Sequence, residues 1–162
     1  PEPIAVLDAP ARRVRLVGTP DGLLAGWYEE ASPDLHYQIQ RVVVMPLDRD
    51  GVPAGPARRL ETAPYAYRDS GWSLIRRGDQ VLAAWTRPDP AESSGDVTAA
   101  VIQPLTWTGE PDGDAIVLSE GRFVRHVLLR TTPLGAIALF TAYPNPEAYP
   151  HQIYSAALIC NR

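Results

Sequence analysis

Three stretches of the chain are apolar at nearly every position and have an aromatic residue at or next to their end. They recur about every 55 residues, at positions 23–28, 80–86 and 136–141. A strand that is apolar at almost every position, rather than at alternate ones, is typical of a sheet covered on both faces. The pattern therefore predicts three equivalent buried strands, which we call strands b.

Each strand b is flanked by further segments with the period of a β-strand. A strand a precedes each one across a tight turn rich in Pro, Asp and Gly, at residues 13–17, 72–76 and 125–129. Polar loops lead on to strands c, at residues 38–44, 96–102 and 152–159. Two of the units end in a strand d, at residues 57–61 and 115–119. Strands a and b joined by so short a turn must be antiparallel.

The repeat predicts an all-β fold of β-propeller-like blades, each a four-stranded antiparallel sheet of about 55 residues. We expect a single domain over 1–162, with repeats at approximately 11–61, 67–119 and 122–162. The segment 3–8 looks like an isolated strand d, which would be the outer strand of the last blade or of a neighbouring one. The alternative is a β-sandwich whose strands resemble one another by composition.

One turn carries a resemblance to a known class of repeats. The segment Leu-Asp-Arg-Asp-Gly-Val-Pro-Ala-Gly-Pro at 47–56 resembles the propeller-like repeats of secreted bacterial proteins. The resemblance implies a propeller fold and a secreted, cell-surface or periplasmic location in a bacterium. The Asp-box of sialidases and the Gly-His and Trp-Asp pairs of WD40 blades do not occur, so the resemblance implies no activity.

Composition excludes several classes of function. The net charge of −4 gives no broad basic footprint for nucleic acid, and no run of about 18 apolar residues predicts a membrane span. Cys160 is the single cysteine, so neither an intrachain disulfide nor a cysteine-based metal motif is available. We expect no metal and no cofactor. The absence of Lys beside 15 Arg is a further bacterial hint.

The loops between strands b and c hold the candidate binding residues, because all of these loops fall at one end of the blades. Loops at that end of a propeller converge near its axis, where carboxylates can pair for acid–base work. The candidates are Glu29, Asp34, His36, Asp89, Asp96, Tyr143, Glu147 and His151. No spacing selects a pair among them, and acidic, Pro-containing loops are equally typical of a solvated surface.

The aromatic residues divide into two groups. Trp27, Trp85 and Phe140 occupy equivalent places in strands b, so we expect them to pack between blades. Four others lie outside that series and are the better candidates for exposed contacts: Trp72, Trp107, Tyr65 and Tyr67.

Two functions remain open on the sequence. The first is a non-catalytic binding or assembly module of an exported bacterial protein, with glycan or protein as its ligand. Three blades are fewer than a propeller needs, so a second copy or another chain would complete the ring, with 3–8 pairing to strand 152–159 of that copy. The second is a carbohydrate-active hydrolase that uses the carboxylates of the b–c loops.

Overall fold

The computed structural model describes residues 11–30, 40–63, 71–88, 98–118, 123–143 and 152–159. Within these ranges the chain forms strands and no helix, as the all-β prediction requires. The strands are β1 Ala11–Gly18, β2 Leu23–Glu30, β3 Gln40–Leu47, β4 Arg58–Ala63, β5 Ser73–Arg77, β6 Gln80–Pro88, β7 Thr98–Leu105, β8 Ile116–Leu118, β9 Phe123–Thr132, β10 Gly135–Tyr143 and β11 Gln152–Ile159. None of the described residues form a helix that could cross a membrane.

The described strands form three sheets in which every strand pairs with its neighbours in sequence. Sheet I has the order β1-β2-β3-β4, sheet II the order β5-β6-β7-β8, and sheet III the order β9-β10-β11. Every pairing is antiparallel. The predicted succession of strands a, b, c and d is therefore confirmed for sheets I and II, and of a, b and c for sheet III.

Sheet II is packed between the other two sheets. Alternate residues of β6 point to opposite sides: Val81 and Trp85 contribute to a core shared with sheet I, and Leu82 and Ala84 to a core shared with sheet III. All four side chains are buried. The prediction that the apolar strand b is covered on both faces is thus confirmed for this sheet.

The aromatic residues of strands b are buried at equivalent places in the register. Trp27 lies opposite Val43, and Trp85 lies opposite Val101. Phe140 lies opposite Tyr154 and stacks on it, with ring centroids 5.5 Å apart. All three rings are buried. Trp85 and Phe140 pack between two sheets, as predicted. Trp27 packs, among the described residues, only with side chains of its own sheet, so its packing between blades stays a prediction.

Trp72 corrects one prediction. The sequence pattern predicts that it is exposed, but only 3% of its surface is accessible, and its Nε1 donates a hydrogen bond to the carbonyl oxygen of Arg13 at 2.8 Å. The physical reason is period-two alternation, since Trp72 and Leu74 share the side of sheet II that packs on sheet I. Trp107 is half-buried, and Tyr65 and Tyr67 lie outside the described residues.

Hydrogen bonds join the first strand of each sheet to its neighbouring sheet. The Gly71 N–H donates to the carbonyl of Arg125 at 3.2 Å, and the Leu129 N–H donates to Ser73 Oγ at 3.1 Å. The Thr98 hydroxyl donates to the carbonyl of Val124. Because β9 is an edge strand of its sheet, some of its backbone groups have no ladder partner, and sheet II supplies one.

Candidate functional site

The b–c end of each sheet lies near a hydrogen bond to a neighbouring sheet. Strand b ends and strand c begins there in each sheet, at the pairs Glu30 with Gln40, Pro88 with Thr98, and Ala142 with Gln152. The hydrogen bonds from Trp72 to β1 and from Thr98 to β9 connect these ends between sheets. The b–c connections themselves lie outside the described residues, so their convergence stays a prediction.

Glu29 is the candidate residue whose side chain the structure describes. It lies opposite Arg41 in the register, near the end of β2. Its Oε2 accepts a hydrogen bond from Arg59 Nε at 3.2 Å and lies 3.8 Å from an Nη atom of Arg41. The carboxylate therefore ties β2, β3 and β4 together on the face of sheet I that is turned away from sheet II.

This environment restricts what Glu29 can do chemically. Its side chain is 18% exposed, and its Oε2 is already paired with the guanidinium groups of Arg41 and Arg59. A general acid or base needs an oxygen within hydrogen-bond reach of the substrate. The contacts of Glu29 are those of a structural ion pair.

The structure gives no side-chain contacts for the other seven candidates. Tyr143 is the last residue of β10 and pairs with Phe123. The remaining six lie outside the described residues: Asp34, His36, Asp89, Asp96, Glu147 and His151. Their convergence therefore stays a prediction.

A polar group that the sequence reasoning missed lies between sheets I and II at the same end. Tyr28 is 3% exposed, and its ring packs against Trp72 with centroids 5.9 Å apart and planes tilted by 59°. Among the described residues its hydroxyl has no hydrogen-bond partner. Burial raises the pKa of the Tyr28 phenol well above its ordinary value, and the Arg13 guanidinium opposes that rise only in part.

Arg13, whose carbonyl oxygen accepts the hydrogen bond of Trp72, has a strained backbone. Its φ is 56°, and it lies in a bulge where the β1–β2 register shifts between Arg12 and Arg15. A non-glycine residue seldom adopts this conformation. The bulge brings the Arg13 carbonyl to the Trp72 indole. The sequence does contain a signal for the burial of Tyr28: it follows Trp27 directly, so the two rings must lie on opposite faces of β2. Nothing in the sequence indicates the conformation of Arg13.

The turn that carries the resemblance is held by its own side chain. Asp48 Oδ1 accepts hydrogen bonds from the N–H groups of Asp50, at 2.9 Å, and of Val52, at 2.8 Å. In the equivalent turn of sheet II, Thr106 Oγ1 accepts from the Glu110 N–H at 3.1 Å. The Asp48 carboxylate is thus occupied in stabilising a turn. In the ranges described, no group of three His, Cys, Asp or Glu side chains is placed to hold a metal ion.

Comparison with known proteins places the chain by fold only. No protein-family model matches the sequence, and no curated protein matches it. Among solved structures, the chain is similar to the α-L-arabinofuranosidase from Lactobacillus brevis, with a TM-score of 0.50 and 9% sequence identity. The match covers 92% of this chain and 53% of that one, so this chain spans about half the length of that enzyme.

Proposed function

We propose that this chain is a propeller-type, non-catalytic binding or assembly module of an exported bacterial protein. The observation that carries the proposal is the way in which successive sheets are joined. Antiparallel meander sheets pack face to face, and the first strand of each is hydrogen-bonded to the adjacent sheet. Four-stranded sheets repeated around an axis, with their first strands innermost, are the blades of a propeller.

The ring requires sheets from outside the three described here. Propellers typically have about 4–8 blades. Among the described strands, β11 has one paired edge, whereas its equivalents β3 and β7 each pair with a fourth strand. We propose that the segment 3–8, which lies outside the described residues, supplies that fourth strand to a second copy or to a neighbouring blade, because an open edge promotes aggregation.

The contacts of Glu29 make it a poor candidate for catalysis. Its pairing with Arg41 and Arg59 removes the best-described carboxylate of the b–c end from the candidates for a catalytic acid or base. The loops at that end then serve as a recognition surface for a glycan or a protein, as loops on rigid scaffolds commonly do.

One observation favours a second function. A protein that shares the fold over 92% of this chain is an arabinofuranosidase. The corresponding hypothesis is a carbohydrate-active hydrolase whose two carboxyl groups, about 5–10 Å apart, come from Asp34, Asp89, Asp96 or Glu147 in the b–c loops.

A screen of the purified chain separates the two functions. Chromogenic glycosides, arabinofuranosides among them, test for turnover, and a glycan array tests for binding. We expect no turnover. Turnover that is lost in Asp96→Asn, and is kept in Asp50→Asn, would establish the hydrolase instead. Asp50 is a suitable control because it is exposed in the c–d turn, away from the b–c end.

Export is tested separately. Fractionation of the native bacterium, with antibodies against this chain, should recover it outside the cytoplasm. Recovery from the cytoplasmic fraction alone would contradict this part of the proposal.

A further inference from the structure

Each sheet has two faces. In sheet II the forward face contacts sheet III and the backward face contacts sheet I. We use the same two names for the equivalent faces of sheets I and III. In sheet II the forward face consists of Leu82, Ala84, Ala100 and Ile102, and it packs on sheet III. Strand β9 contacts β5, β6 and β7 there, so the first strand of sheet III rests across three strands of sheet II. The side chains that β9 places in this contact, Val127 and Leu129, are 2% and 0% exposed.

The forward face of sheet III has the same register but no sheet on it among the described residues. Leu139 precedes Phe140 as Ala84 precedes Trp85, and Ile153 lies opposite Thr141 as Ala100 lies opposite Thr86. Ala84 and Ala100 are both fully buried, whereas Leu139 is 36% and Ile153 is 78% exposed. Leu128 of β9, opposite Leu139, adds a third apolar side chain at 39% exposure.

The backward face of sheet I is the complementary case. On β1, Leu16 lies opposite Ala25, just as Leu129 lies opposite Ala138 on β9. Val14 precedes Leu16 by one strand period, as Val127 precedes Leu129. Val14 is 51% and Leu16 is 59% exposed, although their equivalents on β9 are buried by the preceding sheet.

We propose that the forward face of sheet III binds the backward face of sheet I of a second copy of this chain. In this contact Val14 and Leu16 of one copy lie against Leu128, Leu139 and Ile153 of the other. The inference rests on the propeller arrangement proposed above, and it names the partner and the surfaces. Two copies related by a two-fold axis form this contact twice, which closes a ring of six sheets and leaves no copy of either face open.

A second copy fits better than an unrelated protein because the contact continues an interface that the molecule already uses. The forward face of sheet II accepts a first strand carrying two aliphatic side chains one period apart, namely Val127 and Leu129. Strand β1 offers the same pair as Val14 and Leu16. Exposed aliphatic side chains grouped on one face, rather than scattered, mark a surface that binds another protein.

Light scattering on the purified chain over a range of concentrations tests the contact. We expect a dimer. Leu16→Asp and Ile153→Asp should each weaken the dimer about tenfold or more, because each places a charge in an apolar contact. The matched control is Leu134→Asp, since Leu134 is 83% exposed in the turn between β9 and β10, and this variant should remain dimeric. Circular dichroism establishes that all three variants are folded.

Mixing two variants tests which faces meet. A Leu16→Asp copy and an Ile153→Arg copy, each impaired alone, form together one unaltered contact and one in which Asp faces Arg. The mixture should therefore recover the dimer. If sheet III instead packed on sheet III of the other copy, Leu16→Asp would stay dimeric, which would overturn the proposal.

A folded wild-type chain that is monomeric at every concentration would overturn it as well. That result would leave the binding function standing, since binding is judged by the glycan and turnover screens. Conversely, a chain that forms this dimer and also hydrolyses glycosides would refute the proposed function. The dimer in that case would still support the contact.

Discussion

The side chain that Gly26 lacks would occupy the space of the Trp72 ring. A Cβ atom on Gly26 would lie 2.6 Å from Cη2 of Trp72, closer than such atoms approach in proteins. The ring has little freedom to retreat, because it is buried and its Nε1 is hydrogen-bonded to the Arg13 carbonyl at 2.8 Å. Strand b of sheet I is thus shaped to receive the first tryptophan of sheet II.

Gly26→Ala should therefore destabilise the fold by about 1–3 kcal/mol, the usual cost of overpacking a core. Gly18→Ala is the matched control: no heavy atom lies within 4 Å of a Cβ at Gly18, which also belongs to β1–β2 pairing. Urea denaturation measures both. Equal free energies of unfolding for the two variants would show that the Trp72 ring can move aside.

Trp85→Ala should cost about 3–5 kcal/mol in the free energy of unfolding, as other buried large-to-small changes do. Trp85 is 3% exposed in the core between sheets I and II. Trp107→Ala should cost clearly less, since Trp107 is half-buried at the edge of that core, with the Arg76 guanidinium 5.0 Å from its ring centre. Urea melts that give equal losses would contradict this ranking.

Ser73→Ala should destabilise the chain by about 1–3 kcal/mol, because it leaves the buried Leu129 N–H without the acceptor that Ser73 Oγ provides at 3.1 Å. Thr131→Ala, at an exposed position near the end of β9, should change stability by less than about 0.5 kcal/mol. Thermal and urea unfolding provide the comparison. In addition, amide hydrogen exchange at Leu129 should quicken in Ser73→Ala; unchanged protection would mean that another group replaces the hydroxyl.

Tyr28→Phe should be neutral or stabilising at neutral pH, by up to about 1 kcal/mol, because the buried hydroxyl it removes has no partner among the described residues. At alkaline pH the effect should grow. Burial raises the pKa of the folded-state phenol above the ordinary value of about 10, so between these two pKa values the unfolded chain releases the proton first.

The free energy of unfolding of the wild type should therefore fall above about pH 10 more steeply than that of Tyr28→Phe, by at most about 1.4 kcal/mol per pH unit. Below that pH the difference between the two proteins should be constant. Urea melts at a series of pH values test this, and parallel curves across the alkaline range would contradict burial of the phenol.

The meander order of the sheets was predictable because its signals are local. An apolar strand and a Pro- or Gly-containing turn specify a hairpin from neighbouring residues alone, as in β6 and its turn at Gly78, where φ is 57°. The burial of Trp27, Trp85 and Phe140 followed from their equivalence in the repeat. In contrast, the place of Trp72 depended on recognising its alternation with Leu74 at the start of β5, a short strand in which Ser73 and Ile75 supply the other face.

The candidate site was less predictable, because it depends on contacts between distant segments. Glu29 was singled out as an acidic residue beside a loop, but its partner Arg59 is 30 positions away on β4. The bulge at Arg13 has no sequence signal, since arginine does not favour a positive φ. Pairing and strain of this kind are set by the packed sheets and not by any local pattern.

The pairing of strands with their sequence neighbours affects how the chain folds while it is being synthesised. Each hairpin closes over a short segment, so little loop-closure entropy is lost before contacts form, an advantage that all-β proteins seldom have. Among the described strands, sheet I needs nothing beyond Ala63, so its hydrogen bonds can form before Ser73 leaves the ribosome. Pulsed hydrogen exchange on stalled nascent chains should find β2 protected first. The nascent chain then offers each new sheet a completed surface on which to pack. Among the described strands, the surface completed last is that of β9, β10 and β11.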